Sequence, residues 1–139
     1  LQQFQTRLNI RTHGQGLIEF TDDVERFVAD CAIENGLLTV YCAHTSASLT
    51  IQENADPDVQ YDLQVFFKRL VREDPSLYRH TCEGPDDMPA HIRAALTNVS
   101  LSIPVTNRRA VLGTWQGIYL FEHRAAPHHR QVHLHLIGL

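Results

Sequence analysis

The densest set of chemically useful side chains is His44-Thr45-Ser46-Ala47-Ser48-Leu49-Thr50-Ile51-Gln52-Glu53-Asn54-Ala55-Asp56-Pro57. It places an imidazole, several hydroxyls and two carboxylates in one short stretch. In extended chain His44 and Ser46 point to the same side. An imidazole and a hydroxyl at a dry strand end can hold a ligand phosphate or a metal-bound water. Asp56-Pro57 also has the form of a helix cap followed by a first-turn proline. A second set is Asp86-Asp87-Met88-Pro89-Ala90-His91, where Asp87 and His91 stand four apart at the start of an expected helix. On one helix face that carboxylate can orient the imidazole or share a cation with it.

A third set runs from Gly113-Thr114-Trp115-Gln116-Gly117 to Glu122-His123-Arg124. Along a strand Gln116 and Glu122 share one parity, with Trp115 and His123 on the other. Trp115 suits either a core position or a stacking platform. Arg93, Arg124 and Arg130 are the candidate readers of phosphate. His133 and His135 flank Leu134 in an expected strand and point the same way, as zinc ligands or as a solvated or subunit-facing surface. Cys42 shares a parity with His44, but its apolar surroundings favour a packed, inert thiol over a nucleophile.

The elements that must position these groups follow from periodicity. Residues 4–10 alternate apolar and polar, with Phe4, Thr6, Leu8 and Ile10 on the inward side of a half-buried strand. From Asp22, the residues Val24, Phe27, Val28 and Cys31 recur at helical spacing, and Gly36 stands where that helix would close. Residues 37–43 and 48–52 read as two strands around His44-Thr45-Ser46. After Asp56-Pro57, the stripe Val59, Leu63, Phe66, Phe67 and Leu70 marks a second helix. A polar connection, residues 74–86, leads to a third helix near Asp87, with Ile92, Ala95 and Leu96 facing inward. The strands 99–105, 110–112, 115–122 and 131–137 follow, the third apolar on both parities and so covered on both faces. Thr106-Asn107-Arg108-Arg109 has the length of a hairpin turn. The expected fold is therefore α+β: one domain over residues 1–139, a largely antiparallel sheet and about three helices.

With 139 residues, 43% of them hydrophobic, the chain can build one core without disulfide staples. Three widely spaced cysteines indicate neither a disulfide framework nor a cysteine zinc knuckle, and they suit a reducing cytoplasm. A formal charge of −4 argues against generic nucleic-acid binding, and no apolar run is long enough to span a membrane.

Four ordered stretches together carry a resemblance over essentially the whole chain: His44 to Thr50, Glu53-Asn54-Ala55-Asp56-Pro57 with Asp62, Asp87-Met88-Pro89-Ala90-His91-Ile92, and Gly113-Thr114-Trp115-Gln116-Gly117 through Glu122-His123-Arg124. They resemble the YjbQ-like family, also called the secondary thiamine-phosphate synthase family. The resemblance implies a small cytoplasmic α+β protein that assembles as a homotrimer. It implies catalytic roles for His44, Ser46, Glu53, Asp87 and Glu122, and substrate contacts from Thr45, Asn54, Trp115, Gln116 and Arg130. His44 and His91 would ligate a divalent metal ion, Mg²⁺ or Zn²⁺, or act as acid-base groups. Two departures from the family pattern stand near the strand 99–105: Asn98 and Arg108 occupy turn positions where glycine is expected. The tail residues His133 and His135 lie outside the motif set.

The activity that follows from the resemblance joins a pyrimidine diphosphate to a thiazole phosphate and releases pyrophosphate. From the side chains alone, metal-assisted hydrolysis of a phosphorylated or amide substrate is equally open, with Glu122 or Asp87 as base. A third reading is a non-catalytic protein that binds a small phosphorylated metabolite.

Overall fold

The computed structural model describes residues 1–139. The strands are β1 (Gln2–Arg11), β2 (Gly16–Glu19), β3 (Asn35–Cys42), β4 (Ala47–Glu53), β5 (Ser100–Thr106), β6 (Arg109–Ala110), β7 (Gln116–Glu122) and β8 (His129–Gly138). The helices are α1 (Thr21–Cys31), α2 (Pro57–Leu70) and α3 (Asp87–Leu96), with one further turn at Pro75–Leu77. Two sheets form, a five-stranded one in the order β1-β8-β3-β5-β6 and a three-stranded one in the order β2-β7-β4. Every strand pair is antiparallel, so the fold is α+β in a single domain, as the alternation predicts. No helix is long and apolar enough to cross a membrane.

The core lies between the sheets. Leu38, Val40, Leu134, Leu136 and Ile103 from the larger sheet meet Leu49, Ile118 and Leu120 from the smaller one, and α1 adds Val24, Val28 and Cys31. Burying each such aliphatic side chain contributes about 1.5–3 kcal/mol. Strand β7 is the middle strand of its sheet, and Gly117 to Glu122 are all buried, which matches its apolar character on both parities. The other face of the larger sheet stays open, so Leu37, Tyr41 and Ile137 are exposed there with His133. On β1 the inward parity is buried only toward the strand's end: Ile10 is buried, Thr6 and Leu8 are half-buried, and Phe4, expected inward, is exposed.

Three local expectations are corrected. Helix α1 closes on Ala32 in the left-handed region (φ 56°), not on Gly36. Gly36 lies in β3 instead, where a Cβ would strike the carbonyl of Ile137 on β8. Helix α3 buries Pro89, Ala90 and Ala94 rather than Ile92, Ala95 and Leu96. Its inward face is small-sided and carries two paired polar groups, Asp87 and Arg93, while Leu96 is left exposed. Asn98 needs no left-handed conformation, because Thr97 ends α3 in extended backbone and Asn98 bridges to Leu49. Arg108 does need one: with Asn107 at φ 52° and Arg108 at φ 63°, the β5–β6 hairpin turns in the geometry glycine favours, with an arginine bearing the strain.

Candidate functional site

Strand β3 ends at Cys42 and β4 begins at Ala47, so the His44-Thr45-Ser46 loop sits at one end of the sandwich. Register brings the end of β7 to the same place, since Ala47 lies opposite Glu122. The amino end of α3 joins them: His91 Nδ1 donates to the Thr45 carbonyl at 3.0 Å. His44, Thr45 and His91 line one cleft of about 260 Å³. His44, Thr45, Ser46 and Arg130 line a second of about 430 Å³. His44 is thus the wall between two openings.

Asp87 is the hinge of this end. Its side chain is buried, and Arg124 holds Oδ1 at 2.8 Å. Its Oδ2 meets Nε2 of His80 at 2.6 Å and Nε2 of His91 at 3.1 Å. The three ligand-type atoms of His80, Asp87 and His91 lie within 4.8 Å of one another. Burial pushes the Asp87 carboxyl up, but the hydrogen bond from His80 and the charge of Arg124 outweigh it and hold the group below the usual carboxylate range. The same hydrogen bond raises the pKa of His80. A carbonyl can only accept, so the proton on His91 sits at Nδ1, and its Nε2 turns a lone pair toward Asp87 when the ring is neutral. Two imidazole nitrogens and a carboxylate converging in this way match the donor chemistry of zinc, with the partly exposed His80 and His91 leaving a side open.

His44 takes a different part. Its Nε2 accepts the backbone N–H of Gln131 at 2.8 Å, and burial, helped by the charge of Arg130, lowers its pKa. The ring is therefore neutral at pH 7 with its proton on Nδ1, a hydrogen-bond donor rather than a free base. His80, in the polar connection 74–86, joins His91 and Asp87 where His44 does not. The spacing His80, Glu83, Asp87, His91 was the available signal, but nothing periodic marks a ligand in a loop.

Glu122 is inside the sandwich and fully enclosed. Arg130 grips it through Nε at 2.8 Å and through a second, shorter contact, Thr12 donates to it at 2.7 Å, and the backbone N–H groups of His123 and Arg124 complete the set. Burial raises its pKa, yet Arg130 and Thr12 win and keep it ionised. With both oxygens taken, Glu122 is not free to accept a proton from water. Arg130 extends this knot to the loop by donating to Ser46 Oγ at 3.0 Å. His123 is buried against Phe121, and burial together with the charge of Arg93 drives its pKa down to about 3. Cys42 is pushed up to about 11 by burial, so its thiol stays protonated and inert.

The remaining expected residues cluster elsewhere. Glu53 pairs in register with Gln116, six positions along β4 and β7 from the Ala47–Glu122 pair. That separation is about 20 Å of strand. There Asn54 donates to Glu19 at 3.1 Å, Glu53 accepts from the Asp56 N–H at 3.2 Å, Gln116 accepts from Gly113, and Trp115 is exposed. The structure therefore unites His44, Thr45, Ser46, Asp87, His91, Glu122 and Arg130 at one end, and Glu53, Asn54, Trp115 and Gln116 at the other.

Comparison with known proteins establishes the family and the fold. The family model described as UPF0047 protein YjbQ-like matches residues 6–139. The chain belongs to that family. A UPF0047 protein of Synechocystis is 53% identical over 99% of this chain and 93% of its own length. YjbQ of Escherichia coli is 43% identical over 87% of this chain and 88% of its own. A crystal structure of a YjbQ/UPF0047 family protein from Clostridium acetobutylicum superposes with a TM-score of 0.87 at 34% identity, covering 95% of this chain and 99% of the other. The YjbQ-like UPF0047 family is one of unknown function, so activity must be argued from the site.

The Glu122 knot makes a stability prediction. Glu122→Gln leaves Arg130 buried without its counter-charge and should lower the unfolding free energy by about 3–5 kcal/mol in urea titration. In the parent protein the stabilisation from ionised Glu122 is present above the unfolded carboxyl value near 4.5 and is lost as pH falls through the lower folded value. The variant should show a shallower acid-side loss; unchanged stability would contradict the structural role of the Glu122–Arg130 pair.

Proposed function

We propose that this chain is a cytoplasmic, metal-dependent enzyme acting on small phosphorylated metabolites, and that its transfer reaction is the joining of a pyrimidine diphosphate to a thiazole phosphate with loss of pyrophosphate. The observation that carries the reading is the convergence of His80 Nε2, Asp87 Oδ2 and His91 Nε2 within 4.8 Å, beside a cleft that His91 shares with His44. Bound there, Mg²⁺ or Zn²⁺ would neutralise the charge that develops on the departing pyrophosphate. The chain's own groups do the rest. Asp87, held by Arg124, keeps both imidazoles aimed at one point. His44 offers an N–H, and Ser46 and Arg130 line the neighbouring cleft as donors to phosphate oxygens. The thiazole nitrogen forms the new bond to the pyrimidine methylene carbon as that carbon's bond to the diphosphate oxygen breaks. The electron pair leaves with pyrophosphate.

This transfer is favoured over hydrolysis because a neutral ring nitrogen needs no base to activate it. Base-assisted hydrolysis does need one, and both carboxylates considered for that task are committed: Glu122 to Arg130 and Thr12, Asp87 to Arg124 and two imidazoles. Glu53, Asn54, Trp115 and Gln116 enter this site only through a neighbouring copy of the chain, since about 20 Å of strand separates them from Glu122 within one protomer.

Self-association as a homotrimer is part of the same proposal. The open face of the five-stranded sheet, with Leu37, Tyr41 and Ile137 exposed, is the surface that supports it. Sedimentation equilibrium should give three times the chain mass, and Tyr41→Glu should shift the mass toward one chain; a monomeric parent protein would contradict it.

The catalytic reading is tested with purified protein, both substrates and added Mg²⁺ or Zn²⁺. Thiamine phosphate should accumulate, and His80→Ala or His91→Ala should reduce kcat by about 10²-fold or more while weakening zinc binding measured by calorimetry. Full turnover by a chelator-stripped His80→Ala, His91→Ala double variant would contradict it. Absence of product from the parent protein with either metal would remove the transferase assignment.

A further inference from the structure

Asp87 is not the only carboxylate aimed at His80. Nε2 of His80 also faces Oε2 of Glu83 at 3.0 Å, against 2.6 Å to Oδ2 of Asp87. A ring nitrogen carries at most one hydrogen, so it can serve one of those two oxygens well and not both. Donor atoms bound to one divalent ion at about 2.1 Å lie roughly 3.0–3.4 Å apart. His80 and Glu83 already stand at the short end of that range.

The turn that carries Glu83 is fixed at its main chain and free at its side chain. Nη2 of Arg124 donates to the Glu83 carbonyl at 3.0 Å, while the same guanidinium holds Asp86 at 2.9 Å and Asp87 at 2.8 Å. Gly84 follows at φ 103°, and a Cβ there would meet Oδ1 of Asp86 at 3.1 Å, so the turn over Arg124 needs glycine. The Glu83 side chain itself is 60% exposed. It is not one of the three groups that lie within 4.8 Å of one another, and it stands on the His80 side of them. Rotation about its own side-chain bonds can bring the carboxylate on or off the open side of the centre without moving the backbone.

Charge points the same way. Within this set of contacts Glu83, Asp86 and Asp87 contribute three negative charges and Arg124 one positive charge. With neutral imidazoles at His80 and His91 the set lacks two positive charges, which one divalent cation supplies. We propose that Glu83 is a fourth and exchangeable ligand of this centre: it occupies a position on the bound cation when no substrate is present, and a phosphate oxygen of the substrate replaces it. This role for Glu83 rests on the reading of His80, Asp87 and His91 as a metal centre. One anionic oxygen leaves the cation as another arrives, and no bond within the substrate breaks in the exchange. Asp87 cannot take this part, because it is buried and Arg124 holds it in place.

The test uses the full chain, Zn²⁺ or Co²⁺ as the metal and inorganic phosphate as the probe, with Glu83→Ala at a position exposed enough to leave the fold intact. By calorimetry the variant should bind Zn²⁺ about tenfold more weakly than the parent protein. Phosphate should bind the zinc-loaded variant several-fold more tightly than the zinc-loaded parent, since no carboxylate has to be displaced. The Co²⁺-loaded parent and variant should differ in visible absorption before phosphate is added and coincide once it saturates. A Glu83 that acts only through its charge would shift both affinities yet leave the two cobalt spectra alike from the start, which would overturn its role as a ligand. Equal zinc affinity in parent and variant would overturn that role too, and cobalt spectra that still differ at saturating phosphate would contradict the exchange. A parent protein that binds neither metal would instead remove the metal centre itself, and this role with it.

Discussion

A carboxylate that is buried must be met by charge and hydrogen bonds, and the way Asp87 is met organises the whole functional end of this protein. One oxygen belongs to Arg124 from the segment after β7, and the other faces His80 from the 71–86 connection and His91 from α3. The stretch from His80 to His91 is thereby tied to the distant segment that carries Arg124. His91 in turn reaches the Thr45 carbonyl, which fixes the His44 loop relative to α3. If Asp87 were apolar, Arg124 and His80 would lose their shared buried partner, and only the Thr45 carbonyl would hold His91.

The residues after Gly117 show a division of labour between neighbours on one strand. Glu122 points between the sheets and is consumed by Arg130 and Thr12, so it holds the two sheets together at the end where the clefts open. Arg124, two positions later, points away from that knot and holds Asp86 and Asp87. His123 between them faces the helices and stays neutral through burial. Because β7 ends at Glu122, the chain is free to turn there, and three successive positions become a structural ion pair, a buried neutral imidazole and the clamp of the candidate metal centre. Reactivity is left to groups with open sides: His80, His91 and the walls of the clefts around His44.

Much of this was legible in the sequence because strands and helices bury side chains at fixed periods. The alternation of β1 and the two-sided apolarity of β7 marked strands, though one sheet was expected where two form, and Asp56 caps α2 through the Asp58 N–H as its position before Pro57 suggests. Asp87 and His91 were readable because a four-residue offset is a helical neighbour relation. Three things escaped. His80 lies in a loop, where no period connects a residue to its partners. The inward face of α3 was misjudged because Asp87 and Arg93 are buried against their expected tendency, each satisfied by a partner distant in sequence. The Glu53 to Gln116 cluster was grouped with His44 by motif order, whereas the length of β4 holds them apart in one protomer.

The central claim is that Asp87 gathers His80 and His91, and not His44, around one cation position. Long-range proton–nitrogen correlation spectra of the histidine side chains test this directly, before and after one equivalent of Zn²⁺. The account predicts that the Nε2 signals of His80 and His91 move on zinc addition, while His44 keeps its neutral Nδ1–H pattern. Movement of the His44 signal in place of His80, or loss of the effect on His91 with Asp87 intact, would contradict it.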